Sequence, residues 1–371
     1  MAVKIPLSAP DITEAEIVAV TAVLRHPRLS LGDKLVEFET ALARYVGSDH
    51  CVAVSSGTAA LHLALLAADL QPGDEVIVPS FAFIAVANAV RYVGAIPVFV
   101  DIEERALNIS PTAVRAAITP RTRAIIVVHT FGVPAAMDEL LEIARRHQLK
   151  VIEDACESLG AKFGGRKLGS LGNAGVFGFY PNKQITTGEG GALVTNDAAM
   201  AKRARMLRNQ GRSASGDWCE HEEIGYNYRI SEINCVLGIV QLQRIAEILE
   251  KRAQAARWYF RNLVDCPHIE MPPMEIAQGK ISWFVYVVRL AEHFPTGARD
   301  RIAAELTVRG IGCGRYFAPI HRQPAYRNVA YRCMDLKTTE SVAERTLALP
   351  FFNQITPEQV SEVCTALREV L

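Results

Sequence analysis

One lysine in a polar, glycine-rich loop is well suited to covalent chemistry. Lys183 lies in the segment FYPNKQITTGEGG, between two apolar runs that are typical of strands. A partly desolvated lysine has a lowered pKa, and its neutral amine can attack an aldehyde. Most lysines are solvated surface residues, so this residue needs support from other positions before it indicates a site.

An aspartate ends a predicted strand in the segment VIEDA. Asp154 would lie at the carboxyl end of a parallel strand, which is where α/β folds bind ligands. Its carboxylate could keep a pyridine nitrogen protonated, which would make the ring an electron sink. The alternative is a strand-end carboxylate that meets solvent or a helix terminus.

Two further segments supply hydrogen-bond donors. Gly57 and Thr58 follow two serines between a predicted strand and a helix, where free backbone amides can bind an anion. An ordinary Ser/Thr helix cap is the alternative. Asn227 and Arg229 lie in the tyrosine-bearing segment EIGYNYR, before a predicted long helix. That segment is equally typical of a helix-entry turn with packed aromatic side chains.

Short β-branched runs alternate with helical stretches from about residue 50 to residue 196. The predicted strands are 51–56, 75–80, 96–102, 123–130, 150–155, 176–180 and 191–196. The predicted helices are 58–70, 83–93, 111–118, 137–148 and 198–208. Because the strands are apolar along their whole length, we expect parallel strands covered on both faces. This pattern predicts an α/β fold, with a mostly parallel central sheet flanked by helices.

The C-terminal part has a different pattern. A long amphipathic helix is predicted at 231–263, a strand at 283–290, and helices at 299–310 and 356–370. We therefore expect a large α/β domain over 1–240 and a smaller C-terminal α+β domain over 241–371. The N-terminal segment 1–30 is expected to pack against the smaller domain.

The composition excludes several classes of protein. Half of the 371 residues are hydrophobic and the formal net charge is zero, so neither nucleic acid nor a membrane is an expected partner. The N-terminus lacks the pattern of a secretory signal. Eight scattered cysteines without a Cys-x-x-Cys pair indicate a reduced, cytoplasmic protein, and the histidines form no metal-binding pattern with them.

Seven segments together resemble one family. They run in that family's order across essentially the whole chain: SSGTAALHLAL, GDEVIVPSFAF, GAIPVFVDIE, VIEDACESLGA, FYPNKQITTGEGG, GYNYR and ALPFFNQIT. The set resembles the nucleotide-sugar aminotransferases of the DegT/StrS group, within the fold type I enzymes that use pyridoxal 5'-phosphate (PLP). Each motif is weak alone, but the ordered set is very specific.

The resemblance implies roles for individual residues. Lys183 matches the lysine that binds the cofactor aldehyde, and Asp154 matches the aspartate on the pyridine nitrogen. Gly57 and Thr58 match the donors to the cofactor phosphate. Phe83 falls where the family places an aromatic ring stacked on the cofactor.

Three more positions concern the cofactor. Asn227 matches a residue that reaches the phosphate from the neighbouring subunit, so the resemblance implies a homodimer with shared active sites. Glu157 stands where many members have glutamine near the cofactor oxygen. Gly178 stands where the family often has a serine that donates to the phosphate, so that contact is missing here or is replaced.

The resemblance also implies the substrates. Glutamate would be the amino donor, converting PLP to pyridoxamine phosphate (PMP), and a nucleotide-linked keto-sugar would be the acceptor. Tyr316, His321 and Arg229 are candidates to contact this substrate, although a packed aromatic turn explains the first two equally well. GYNYRISEIN and LGIVQL are similar to the perosamine-synthase-like branch, which aminates C4 of a 4-keto-6-deoxy sugar. The product would be an amino sugar for a surface polysaccharide or a secondary metabolite, and amination at C3 is the alternative.

Three other functions can be compared with these residues. Related sugar dehydratases use PMP and carry histidine at the lysine position, which Lys183 argues against. A regulatory relative is disfavoured because no DNA-binding helix pair is recognisable. A nicotinamide-dependent oxidoreductase would need Gly-x-Gly-x-x-Gly after a strand, and the glycine-rich segment 310–314 lacks that spacing and follows a helix.

Overall fold

The computed structural model describes residues 3–213 and 220–371. Helices α1 to α12 span Glu14–Leu24, Asp33–Val46, Gly57–Ala67, Ala85–Tyr92, Pro111–Ala117, Met137–His147, Ala198–Arg208, Glu232–Gln243, Ile245–Leu263, Ala298–Val308, Lys337–Arg345 and Pro357–Val370. Strands β1 to β14 span His50–Val54, Glu75–Pro79, Ile96–Val100, Thr122–Val128, Lys150–Asp154, Lys162–Phe163, Arg166–Lys167, Ala174–Gly178, Gly191–Thr195, Ile269–Glu270, Gly279–Lys280, Tyr286–Leu290, Arg332–Cys333 and Thr346–Leu349.

The largest sheet has eight strands in the order β1-β9-β8-β5-β4-β2-β3-β13. The pairs from β8 through β13 are parallel, whereas β9 runs antiparallel to both β1 and β8. The predicted α/β fold with a mostly parallel sheet flanked by helices is confirmed.

Both faces of this sheet are buried. Along β4, Ile126 and Val128 pack with α3 and α4, while Ile125 and Val127 pack with α5 and α6 on the other face. Successive side chains of a strand point to opposite faces, so a strand covered on both sides must be apolar throughout. This explains the uninterrupted apolar runs of the sequence.

A three-stranded antiparallel sheet, β10-β12-β14, shares a core with α9, α10 and α12. Ile5 is buried in this core, and its amide donates to the carbonyl of Gly310 at 3.0 Å. By contrast, α1 packs against α8. Strand β13 joins the large sheet although it belongs to the C-terminal part of the sequence. The division into 1–240 and 241–371 stays a prediction.

The single long helix predicted over 231–263 is wrong. The chain forms α8 and α9 instead, with Arg244 between them. The Arg244 guanidinium donates to Glu16 Oε1 at 2.7 Å and to Asp11 Oδ1 at 3.3 Å. Both halves contain buried apolar residues, so apolar spacing alone did not indicate the break.

Two properties of the described residues bear on the earlier expectations. No helix within 3–213 or 220–371 is both long and apolar enough to cross a membrane. Seven cysteines lie in these ranges and each is a free thiol. Cys219 lies outside the described residues.

Candidate active site

A cavity of about 450 Å³ opens at the carboxyl ends of the central parallel strands. Seven predicted site residues line it together: Gly57, Thr58, Phe83, Asp154, Glu157, Lys183 and Tyr316. They come from widely separated parts of the sequence, so only the folded sheet brings them to one place. Ligands of open α/β sheets bind at this edge.

Asp154 is the last residue of β5, and only 9% of it is exposed. Its Oδ1 accepts a hydrogen bond from the amide of Cys156 at 3.0 Å. Its carbonyl oxygen accepts from the amide of His129 at 3.1 Å, which ties β5 to the end of β4. These contacts hold the carboxylate at the cavity wall.

The preceding residue, Glu153, anchors β5. Its fully buried carboxylate accepts amide hydrogen bonds from Gly169 at 2.8 Å, Leu171 at 2.6 Å and Gly172 at 2.7 Å. His129 Nε2 lies 3.0 Å from the same carboxylate. Four donors around one buried carboxylate compensate for the loss of hydration, so Glu153 is a structural residue.

Lys183 lies in the loop between β8 and β9, and its side chain is 16% exposed. Its backbone amide donates to the carbonyl of Tyr180 at 2.9 Å, which closes a turn. Its Nζ atom lies 3.6 Å from Glu157 Oε1 and 4.0 Å from the centre of the Phe284 ring. The amine is therefore directed into the cavity, between an acid and an aromatic face.

Glu157 is held by the backbone of a second loop. Its Oε2 accepts from the amide of Phe131 at 2.9 Å, which leaves Oε1 facing Lys183. Burial raises the pKa of the Glu157 carboxyl, and the nearby Lys183 ammonium opposes that rise. The charge of Glu157 is therefore sensitive to whatever binds in the cavity.

The opposite wall is the N-terminus of α3. Ser56 caps this helix by accepting from the amide of Ala59 at 3.1 Å. The amides of Gly57 and Thr58 belong to the first turn, where backbone donors lack a partner within the helix. Gly178 adds a second wall without a side chain. This arrangement suits a phosphate group.

Three predicted site residues do not line this cavity. Asn227 has an exposed side chain and forms a backbone bridge with Asn209. Arg229 donates to Asn209 Oδ1 at 2.8 Å. His321 forms its hydrogen bonds with residues outside the cavity. Within a single subunit, none of these three residues lines the cavity that contains Lys183. Their roles stay predictions.

His321 lies between two partners. Its Nδ1 is 2.7 Å from Ser80 Oγ, and its Nε2 is 3.1 Å from Glu340 Oε1. Ser80 is completely buried, so this row of residues links the end of β2 to α11 rather than presenting a nucleophile.

Sequence reasoning did not place three residues beside the reactive groups, although the segment 282–284 resembles one near the family's sugar pocket. Phe284 contacts the Lys183 amine, Phe131 donates to Glu157, and Cys156 lines the cavity beside Asp154. The position of Cys156, two residues beyond the strand-end aspartate, was a usable signal. Phe131 and Phe284 are distant in sequence from the residues they touch, so no local pattern predicted these contacts.

The model of the DegT/DnrJ/EryC1/StrS aminotransferase family matches residues 10–368. The chain belongs to this family. A relative named GDP-perosamine synthase, from Caulobacter vibrioides, is 42% identical over 342 residues, which are 92% of this chain and 91% of the relative. A UDP-N-acetyl-3-dehydro-alpha-D-glucosamine 3-aminotransferase from Acidithiobacillus ferrooxidans is 38% identical, covering 92% of this chain and 89% of the relative.

Solved structures support the same assignment. DesV from S. venezuelae, in complex with a ketimine intermediate, has a TM-score of 0.90 and 37% identity, and the match covers 98% of each chain. Helicobacter pylori PseC, an aminotransferase of pseudoaminic acid biosynthesis, has a TM-score of 0.93 and 28% identity, covering 99% of this chain and 98% of PseC. This DegT/StrS-type protein is therefore a sugar aminotransferase, and its family uses PLP.

The cavity residues fit PLP or PMP. Asp154 at the strand end could pair with a ring nitrogen, and Lys183 within the cavity could bond to an aldehyde. Any side chain at Gly57 or Gly178 would project against the atoms around it, since a Cβ there would lie 3.0 or 3.3 Å from Cys156 Sγ. A small, donor-rich wall of this kind admits a phosphate.

Proposed function

We propose that this enzyme transfers an amino group from glutamate to a nucleotide-linked 4-keto-6-deoxyhexose, giving an amino sugar for a surface polysaccharide or a secondary metabolite. The main support is the 42% identity, over most of both chains, to the relative named GDP-perosamine synthase. The segment GYNYRISEIN adds support, because it resembles enzymes of that branch.

The cavity residues have distinct proposed roles. Bound PLP supplies an aldehyde that carries the amino group and a ring that withdraws electrons. Lys183 is the residue that would hold the aldehyde carbon through Nζ, and its free amine would take a proton from the α-carbon of the amino donor. Asp154 would keep the ring nitrogen protonated. Glu157, whose Oε1 lies 3.6 Å from Lys183 Nζ, forms an ion pair with the protonated amine.

The sugar side of the proposal uses Tyr316, which lines the cavity. Burial raises the pKa of its hydroxyl, so the group is a neutral donor at neutral pH. We propose that Arg229 and His321 contact the nucleotide-sugar when two subunits form a homodimer. Asn227 is exposed and lies outside its own cavity, which is what a residue that serves the partner's site requires.

Amination at C3 of a 3-keto sugar is the second candidate, because a relative named as a 3-aminotransferase is 38% identical to this chain. Turnover of glutamate with a panel of nucleotide-linked 3-keto and 4-keto sugars distinguishes the two. NMR of the product should show the amine on C4. An amine on C3 would contradict the favoured proposal.

A cytoplasmic location is part of the proposal. The seven cysteines of the described residues are free thiols, which supports it.

Replacing Lys183 with alanine tests the catalytic assignment. We expect no measurable turnover and no visible absorbance from a lysine-bound cofactor, because no other amine lines the cavity among the described residues. Lys183→Arg should fail equally, since it keeps the charge but cannot form the bond. Lys202→Ala, on the exposed side of α7, is the matched control and should keep both signals. Wild-type turnover by Lys183→Ala would refute the assignment.

A further inference from the structure

A cysteine sulfur lies where two glycine-bearing elements meet in the cavity. A Cβ atom on Gly57, at the start of α3, would lie 3.0 Å from Cys156 Sγ. A Cβ atom on Gly178, at the end of β8, would lie 3.3 Å from the same sulfur and 3.5 Å from Cys156 Cβ. One atom therefore limits the size of both neighbouring residues.

The short distance between a Cβ atom at residue 178 and the Cys156 sulfur leaves little room for a side chain at residue 178. Distances of 3.0–3.4 Å are tighter than nine in ten real Cβ contacts. A serine would add a hydroxyl beyond this Cβ, and closely packed interiors accommodate such additions only by moving neighbours. The neighbours here are Cys156, Gly57 and the start of α3, which form the small wall of the cavity.

We propose that Cys156 and Gly178 are a matched pair that shapes the phosphate end of the cofactor cavity, with the Cys156 sulfur occupying the space that a serine at 178 would need. This inference rests on the proposed cofactor site. Cys156 thus acts as a positioning residue, and Gly178 is an adaptation to the sulfur rather than simply a lost donor.

The state of the thiol agrees with this role. Burial raises the pKa of Cys156, and the nearby Asp154 carboxylate adds to the rise. The sulfur therefore stays uncharged at neutral pH and does not repel a bound phosphate. Its remaining polar contact is weak, with the Val176 carbonyl oxygen 3.8 Å from Sγ.

A double-mutant cycle on cofactor affinity tests the pairing. The apoproteins to compare are wild type, Gly178→Ser, Cys156→Ala and the double variant, and the measurement is the PLP dissociation constant by equilibrium dialysis. We expect Gly178→Ser to weaken PLP binding about three- to tenfold, because the hydroxyl crowds the sulfur. With Cys156→Ala the added serine has space, so the double variant should bind at least as tightly as Cys156→Ala alone.

Two controls separate this effect from general damage. Cys333→Ala removes an exposed cysteine on β13 and should not rescue Gly178→Ser. Gly178→Ala adds only the Cβ atom and should give a smaller loss that Cys156→Ala also relieves. The thermal midpoint of each apoprotein verifies that the variants are folded.

The results that would contradict the Cys156–Gly178 pairing differ from those that would contradict the cofactor site. Equal weakening by Gly178→Ser with and without Cys156, or no weakening at all, would overturn the matched pair. If Lys183→Ala also bound PLP as tightly as wild type, and no cavity variant changed the affinity, the proposed cofactor site would be wrong as well.

Discussion

Glu157 faces the Lys183 amine where many relatives are expected to carry glutamine. Its Oε2 is occupied by the amide of Phe131, so only Oε1 is available to the lysine. Because burial raises the pKa of this carboxyl, it changes charge closer to neutral pH than an exposed glutamate does. Below its pKa the neutral acid no longer stabilises a charged amine.

Replacing Glu157 with glutamine should therefore remove one pH-dependent step. The amide keeps the shape and the hydrogen bond from Phe131 but cannot ionise. We expect the visible absorbance of the PLP-loaded protein to lose its acid-side transition, and kcat to fall by about tenfold. Glu189→Gln, at another acid lining the cavity, is the control and should keep the wild-type transition. Identical profiles for Glu157→Gln and wild type would contradict the coupling.

At this scale the ordered motifs of the sequence singled out Lys183 and Asp154, and the fold brings both residues to one cavity. Neither residue could be assigned from its own segment alone, because a solvated lysine and a strand-end carboxylate are the ordinary alternatives. The residues that hold them in place were not predicted. Phe131 and Phe284 reach the site only through tertiary packing, and the orientation of His321 depends on Ser80 and Glu340, which are distant in sequence.

At the scale of the secondary-structure elements, the turn after β4 packs tightly against the segment before β12. Gly132 has φ of 86°, and a Cβ atom there would lie 1.7 Å from the carbonyl oxygen of Ser282. The amide of Ser282 donates to the Gly132 carbonyl at 3.1 Å, so the two segments are joined at this point. Phe284, which contacts Lys183, follows two residues later.

Alanine at Gly132 should be severely destabilising. It adds both left-handed backbone strain and a clash with backbone, for which we expect a loss of about 3 kcal/mol or more in the free energy of unfolding. Gly297 is a matched control, because it has the same φ of 86° but no atom within 4 Å of an added Cβ. Gly297→Ala should cost about 1 kcal/mol. Comparable losses in urea denaturation would contradict the argument.

Helix α1 depends on a buried carboxylate. Burial alone would raise the pKa of Glu16. Hydrogen bonds from Thr13, Arg244 and Gln241 outweigh that effect and bring the pKa down to about 2. The folded state therefore binds the Glu16 proton more weakly than the unfolded chain does. The resulting stability is present above the unfolded pKa near 4.5 and is lost as the pH falls towards 2.

Glu16→Gln should lower stability by about 1–3 kcal/mol at pH 7, because it removes a charged acceptor for Arg244. The difference from wild type should shrink between pH 4.5 and the limit of folding. Thermal midpoints measured across this range provide the test. Glu14→Gln, on the exposed side of the same helix, should change little at any pH. A Glu16→Gln deficit that is independent of pH would rule out this linkage.

The elements themselves were predictable where the signal is local. The parallel strands of the large sheet, apart from the two-residue β13, carry apolar runs, and β5 could be bounded to within a residue. The break at Arg244 could not be predicted, because the partners that stabilise it, Glu16 and Asp11, lie more than 200 residues away. Strands of only two residues, such as β6 and β7, have no periodicity that sequence analysis can detect.

For the molecule as a whole, the proposed homodimer has a direct test. Phe83, which lines the cavity, and Tyr180 beside it are 63% and 54% exposed in the single chain. Asn227 lies outside that cavity. A second subunit that covers the aromatic side chains and contributes Asn227 would complete the site.

Mixing two inactive variants should restore activity if the sites are shared. In a dimer of Lys183→Ala and Asn227→Ala subunits, one of the two sites has both wild-type residues. Unfolding and refolding an equal mixture should give about a quarter of wild-type turnover, because half of the dimers are mixed and each has one intact site. Each variant refolded alone should remain impaired. No recovery in the mixture would contradict shared sites.

Strand β5 ends in two adjacent acids, one bound on all sides by the scaffold and one facing the ligand. Adjacent residues of a strand point to opposite faces, so a shift of the chain by a single position would misplace both acids. A shift in one direction would put Glu153 in the cavity and leave Ile152 among the amides of residues 169–172. A shift in the other direction would enclose Asp154 there and leave Ala155 at the cavity. An insertion or deletion in β5 should therefore abolish cofactor binding even where the sheet survives.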